Sequence, residues 1–224
     1  MSSGNRLRVA ASVWVIVAAV VTTGRTAVDL AARASRQQTQ PRQVVADWRQ
    51  HATEGHLEGP PDAAVTIVVF WDFECATCAS LSKRIAPLLR RYPADLAVRY
   101  RPLPLAYHEK GAAAAIAGEC AAEQGRYLPF HRRVLDFGDS LPSGDWGPVA
   151  YEAGVRDLDA FVRCVRDPQA PQSLRLHSEA ATTLGVLETP TMLIRGDLYT
   201  GIPWDFEALV QQHVREAVAA RSSR

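Results

Sequence analysis

The sequence predicts an α/β domain whose β-α-β half and β-β-α half are separated by an all-helical insertion, with a hydrophobic segment and a polar tether ahead of it. Three observations predict this. Val65–Phe70 is an apolar, largely β-branched run that ends at Trp71-Asp72-Phe73-Glu74, and a helical stretch opens at Cys75 and Cys78. Leu96–Arg101 then alternates, with Leu96, Val98 and Tyr100 on one side, as a half-buried strand does. From Ala106 to Leu184 only helical periodicity is present, after which Met192–Ile194 and Leu198–Thr200 bracket a turn and lead into a last helix.

The chain has 224 residues and is 47% hydrophobic, enough for one domain of ordinary size with a full core. Its net charge of +1 supplies no electrostatic footprint for nucleic acid or for an acidic partner. Four cysteines in two apparent pairs suit an oxidising compartment.

Residues 1–24 read as a signal or anchor segment. Arg6 and Arg8 precede the uncharged run Val9–Val21, and Thr22-Thr23-Gly24 closes it, the pattern of a secretory signal. The run is shorter than the ~17–25 residues of a full membrane span. Ala32-Arg33-Ala34 has the form of a cleavage site but lies well past the apolar core. Both an uncleaved signal-anchor and a cleaved peptide fit, with the anchor preferred; either exports the remainder. Residues 25–51 read as a polar tether, too poor in large apolar side chains to order itself, with a short helix over Val44–His51 that puts Val44, Val45 and Trp48 on one face. Residues 52–220 form the domain, with the helical insertion at about 106–184.

Within the domain, Gly59-Pro60-Pro61-Asp62 turns the chain into the first central strand. The helix after Cys75 contains Pro87 and stops at Tyr92-Pro93-Ala94-Asp95. The β-α-β order makes Val65–Phe70 and Leu96–Arg101 parallel neighbours with a right-handed crossover. Arg101-Pro102-Leu103-Pro104-Leu105 ends the second strand in a rigid loop. The insertion holds helices over Gly111–Gln124 (Ala113, Ile116, Ala117 and Cys120 on one stripe) and Tyr127–Phe137, then a short one ending at Ala153. Asp157 caps another, and Gln172–Leu184 returns the chain to the sheet. Arg195-Gly196-Asp197 is a hairpin turn, and the last helix starts near Pro203 with Phe206, Leu209, Val210, His213, Val214 and Ala217 as its apolar face.

Cys75 and Cys78 carry the chemistry. Cysteines three apart at a helix start share a face and are close enough to bridge. The first sits where backbone N–H groups are unpaired and the helix dipole is positive, which favours thiolate over thiol. A stabilised thiolate leaves readily, so the disulfide form is easily reduced and oxidising. Cys75 is therefore the exposed attacking sulfur and Cys78 the buried resolving one. Asp72 and Glu74 either oppose ionisation by their charge or relay a proton for Cys78; both roles stay open. A CxxC is also half of a zinc site, but Cys120 and Cys164 stand singly and do not complete one. Those two fall on different helices. In an exported chain they form a structural disulfide, the alternative being two separate buried thiols. His108 and His131 read as surface or packing histidines, because neither has a partner nearby in sequence.

FWDFECATC, GPPDAAVTIVVFWDFECATC as a whole, the RPLPL loop, the CAAEQGRY segment with His131, LETPT and the extra cysteines together resemble the DsbA-like branch of the thioredoxin fold, over about residues 52–220. The resemblance implies a thioredoxin-like fold with an inserted all-helical subdomain and a thiol:disulfide oxidoreductase. Cys75 matches the nucleophile and Cys78 its resolving partner. Pro190 matches the cis-proline that faces the dithiol, so that the backbone of Thr189 is free to pair with an extended substrate segment. No metal or small cofactor is implied. The implied partners are exported proteins with free thiols or disulfides, and a quinone-linked oxidase in the membrane; nucleic acid is not among them.

One departure concerns direction. Strongly oxidising members carry Pro-His between the cysteines, and this chain has Ala76-Thr77, with no positive side chain to hold the thiolate. The expectation is an oxidase in the periplasm or at the cell surface. A reductase or isomerase on the same scaffold is the alternative, although family isomerases usually carry a dimerisation domain and residues 25–58 are too short and polar for one. A non-catalytic peptide-binding module is the third reading.

Overall fold

The structure, a computed structural model, describes residues 43–138, 140–169 and 171–223. The predicted signal or anchor segment and the tether up to residue 42 lie outside the described residues. Among the described residues no helix is long and apolar enough to cross a membrane.

The described strands are β1 (Gln43–Val44), β2 (His56–Glu58), β3 (Val65–Trp71), β4 (Leu96–Pro102), β5 (Thr191–Ile194) and β6 (Asp197–Thr200). They form one sheet in the order β1-β6-β5-β3-β4-β2. The β3–β4 pair is parallel, with Val65 opposite Leu96 and Trp71 opposite Pro102. Its crossover is helix α2 (Ala76–Arg91), preceded in the chain by the short α1 (Trp48–His51). Strand β5 pairs with β3 and with β6 antiparallel, so β3 is central and buried on both faces. That burial is why Val65–Trp71 reads as a continuous apolar run.

The two faces of β3 feed two cores. Val65, Ile67, Val69 and Trp71 pack with Cys78, Leu81, Ile85 and Leu88 of α2, with the insertion, and with α8 (Phe206–Ser222). Val68 and Phe70 pack on the other side with Leu193, Leu198, Ala181, Leu184 and Val186. The insertion between β4 and β5 consists of α3 (Glu109–Ala122), α4 (Tyr127–Asp136), α5 (Gly147–Glu152), α6 (Leu158–Arg166) and α7 (Gln172–Thr183). Asp157 caps α6 by accepting the Ala160 N–H at 2.8 Å. Cys120 of α3 is bonded to Cys164 of α6.

The N-terminal part differs from the sequence reading. The sequence predicts a tether through residue 51, with a helix from Val44. Instead, Gln43 and Val44 pair with Leu198 and Asp197 at the sheet edge, and the Val45 N–H donates to Gly196 O at 2.7 Å. Trp48 and Val45 pack on the second core, so the edge strand gains cover that a free tether would not give. Strand β2, whose His56 stands opposite Tyr100, has no counterpart among the expected elements; it is too short for its alternation to register. Helix α8 begins at Phe206, a few residues past Pro203.

Candidate active site

Strand β3 and strand β4 end at the same edge because they are parallel and in register there. The loop after each therefore meets the other. Asp72, buried just past β3, collects these loops: its Oδ1 accepts the Glu74 N–H at 2.9 Å, and its Oδ2 accepts the Leu105 N–H and lies 2.8 Å from His108 Nδ1. Glu74 reaches the first turn of α3, where its Oε2 accepts the Gly111 N–H at 2.9 Å. Residue 111 has to be glycine for this approach, since a Cβ there would collide with Asp72 Oδ1.

Helix α2 starts at this edge. Cys75 is its N-cap residue, with extended backbone, and its Sγ accepts the Cys78 N–H at 3.2 Å. One of the unpaired amides of the first turn is thus satisfied by sulfur in place of the usual side-chain oxygen. Cys75 and Cys78 lie 2.8 Å apart, both as free thiols. Cys75 is 8% exposed and Cys78 1%, so the nucleophile predicted to be exposed is itself largely covered, though still the more open of the two. The cover comes from the loop before β5. The Cys75 thiol donates to Thr189 O at 3.4 Å, and the Thr189–Pro190 peptide is cis.

The two sulfurs are driven apart in acidity. The hydrogen bond from the Cys78 thiol is the largest influence on Cys75; the Cys78 amide and Thr189 add to it, burial and the Asp72 charge oppose it, and the net effect lowers the Cys75 thiol to about 6. The Thr189 hydroxyl is buried, has no other hydrogen-bond partner among the described residues, and acts on both thiols. Cys78 is pushed far up, first by burial and then by the same bond to Cys75. One sulfur is therefore ionised near neutral pH while the other holds its proton. Chemically such a dithiol is suited to attack and leaving through Cys75.

Of the two roles left open for the acids, the charge of Asp72 does work against the Cys75 thiolate. Glu74 holds the start of α3. His131 is a packing residue: it lies on Trp71 with ring centroids 3.9 Å apart, and burial pushes it down to about 3. His108 is not simply a surface group, since it is paired with Asp72. The signal that would have found this pair was available: parallel neighbours in a β-α-β unit bring the residues past their C-terminal ends together, however far apart they lie in sequence.

Residues 51–212 match the family model described as Thioredoxin. Among curated proteins, an Na(+)/H(+) antiporter NhaA 1 of Mycolicibacterium gilvum is 31% identical over 159 residues, 70% of this chain. The chain spans about a quarter of that relative's length, 25%. Among solved structures, DsbA2 of Pseudomonas aeruginosa is 26% identical with a TM-score of 0.53, covering 65% of this chain and 85% of that one. The thiol-disulfide exchange protein alpha-DsbA2 of Wolbachia pipientis has a TM-score of 0.64 at 20% identity, covering 76% of this chain and 92% of that one. The chain belongs to the thioredoxin family and has the DsbA-like form of its fold.

Proposed function

We propose that the protein is an extracytoplasmic thiol:disulfide oxidase acting on exported proteins, with Cys75 and Cys78 as its redox pair. In the oxidised enzyme a substrate thiolate attacks Cys75 Sγ. The Cys75–Cys78 bond breaks, its electron pair goes to Cys78, and Cys78 takes a proton. The substrate is then joined to Cys75 as a mixed disulfide beside Thr189 and Pro190, whose loop is the binding element for an extended segment. The substrate's second thiolate attacks its own bonded sulfur, and Cys75 leaves as a thiolate. The substrate has lost two electrons and the enzyme pair has gained them; a quinone-linked oxidase in the membrane is the acceptor that restores the disulfide. The apolar run Val9–Val21 brings the domain to that membrane.

The observation that carries this reading is the acidity split of the two sulfurs. A Cys75 thiol lowered to about 6 stabilises the reduced form, which makes the disulfide the stronger oxidant. That lowering is achieved by Cys78, its amide and Thr189, without any charged group at Ala76-Thr77. The bridged Cys120–Cys164 pair and the apolar N-terminal run support an oxidising compartment.

The test is the reduction potential of the Cys75/Cys78 pair in glutathione buffers, read by alkylation and mass. An oxidase has a value near about −120 mV, whereas a value near about −270 mV assigns the protein to reduction of disulfides.

A further inference from the structure

His56, Glu119 and His177 come from three separate elements, β2, α3 and α7, and their ligand atoms all lie within 4.8 Å of one another. His56 Nε2 is 2.8 Å from Glu119 Oε1, and His177 Nε2 is 3.8 Å from the same oxygen. Glu119 is 4% exposed and His177 3%, so a carboxylate and an imidazole have been carried into the interior of the helical insertion. Neither ring nitrogen of His177 has a hydrogen-bond partner among the described residues. Orphaned buried polar atoms of this kind are rare and call for a ligand.

We propose that His56, Glu119 and His177 form a site for a zinc-class divalent ion that clamps β2, α3 and α7 together. Neighbouring ligands around a tetrahedral ion with metal–ligand bonds of about 2.0–2.1 Å are roughly 3.3 Å apart. The two separations to Glu119 Oε1, 2.8 and 3.8 Å, straddle that value, so small side-chain shifts make room for the ion. The ion takes the place of the proton between His56 and Glu119, which is released, and it gives His177 Nε2 a partner. Two imidazoles and a carboxylate suit zinc and exclude magnesium and calcium, which require mostly oxygen ligands. Burial is the main cause that pushes His177 down to about 4, so its ring is neutral and ready to ligate.

The surroundings hold the donors in place. The Ser173 hydroxyl donates to Glu119 Oε2, the oxygen facing away from the histidines, and the His56 ring is stacked on Tyr127 at 3.4 Å. Among the groups acting on His177, Glu119 favours a cation, while the Arg101 guanidinium, held by His51 O and Leu176 O, and the His56 ring oppose one. The His56 side chain is 18% exposed at the end of the sheet, which provides both an approach for the ion and an open fourth position for water. The Cys120–Cys164 bond fixes α3 to α6; the ion fixes the adjacent position of the same helix to α7 and the sheet.

The test uses the full chain carrying Cys75→Ser and Cys78→Ser, so that no active-site thiolate competes for metal. After equilibration with zinc chloride and gel filtration, elemental analysis is expected to find one zinc per chain. Cobalt in its place gives the visible bands of a four-coordinate ion without sulfur charge transfer. Adding His56→Asn, which changes a partly exposed residue, lowers the affinity at least tenfold and abolishes the rise in melting temperature caused by zinc. Glu119→Gln and His177→Asn do the same where they fold. Zinc below stoichiometric amounts, or equal binding by the parent and the His56→Asn chain, overturns the proposal.

Discussion

The molecule contains two cysteine pairs built from the same atoms and set in opposite surroundings. Cys120 and Cys164, separated by 44 residues, are bonded across α3 and α6 inside the insertion. Cys75 and Cys78 are three apart, unbonded, and placed where a helix start meets the Thr189–Pro190 loop. The difference lies in the surroundings. At the first pair Cys164 faces Glu123, whose carboxylate would repel a thiolate. At the second pair an amide, a thiol and Thr189 all stabilise one sulfur's negative charge, while burial denies it to the other. A disulfide is inert or reactive according to how well its reduced form is held.

Substitution at the reactive pair has the largest effect. Cys75→Ser should lower the rate of disulfide exchange by at least about a thousandfold, because no other nucleophile stands at the cap position. Cys78→Ser, offered a disulfide-bonded substrate, should instead hold it on Cys75 as a mixed disulfide, because the Cys75 thiolate breaks the substrate's bond and no Cys78 thiolate remains to release it; the adduct is visible on a non-reducing gel. If Cys75→Ser keeps its activity in a refolding assay, the domain acts as a binding module and the contrast between the pairs has no functional meaning.

Removing the other pair with Cys120→Ala and Cys164→Ala should cost about 2–4 kcal/mol in urea denaturation, through the freedom returned to the unfolded chain. Activity and the titration of Cys75 should not change. A shift in that titration would show that the two pairs are coupled.

The pairs also differ in pH response. The Cys75 thiol is lowered in the folded, reduced protein from a reference of 9.0 to about 6. Such a group adds stability that is fully present above the reference value and is lost as pH falls through the folded one. The reduced protein should therefore gain stability relative to the oxidised protein between about pH 6 and pH 9, measured by paired thermal melts. The bonded Cys120 and Cys164 contribute nothing to this difference. Thr189→Val, which deletes the hydroxyl facing the sulfurs and little else, is the smallest change. It should raise the Cys75 thiol by about 0.5–1 unit.

Motif and periodicity are local signals, and what they marked is what the sequence could disclose. The strand before Cys75, the helix start, the capping Asp157 and the β5–β6 hairpin were all readable in a window of a few residues. The Asp72–His108 pair was not, because its members are brought together only by the register of two parallel strands. Strand β1 is not legible either, since an edge strand of two residues has no period and its partner lies at Leu198. The partial covering of Cys75 follows from a loop more than a hundred residues downstream, which no reading of the CxxC alone can supply. The cluster at His56, Glu119 and His177 is hidden for the same reason: these three residues become neighbours only through the packing of the insertion on the sheet.

The account rests on an ionised, reachable sulfur at position 75. Its direct measurement is a pH titration of the reduced protein, followed by ultraviolet thiolate absorbance and by the rate of alkylation, with Cys75→Ser as the blank. A single transition with a midpoint near 6 is the predicted result. A midpoint at or above about 8.5, the value of an ordinary cysteine, would contradict it.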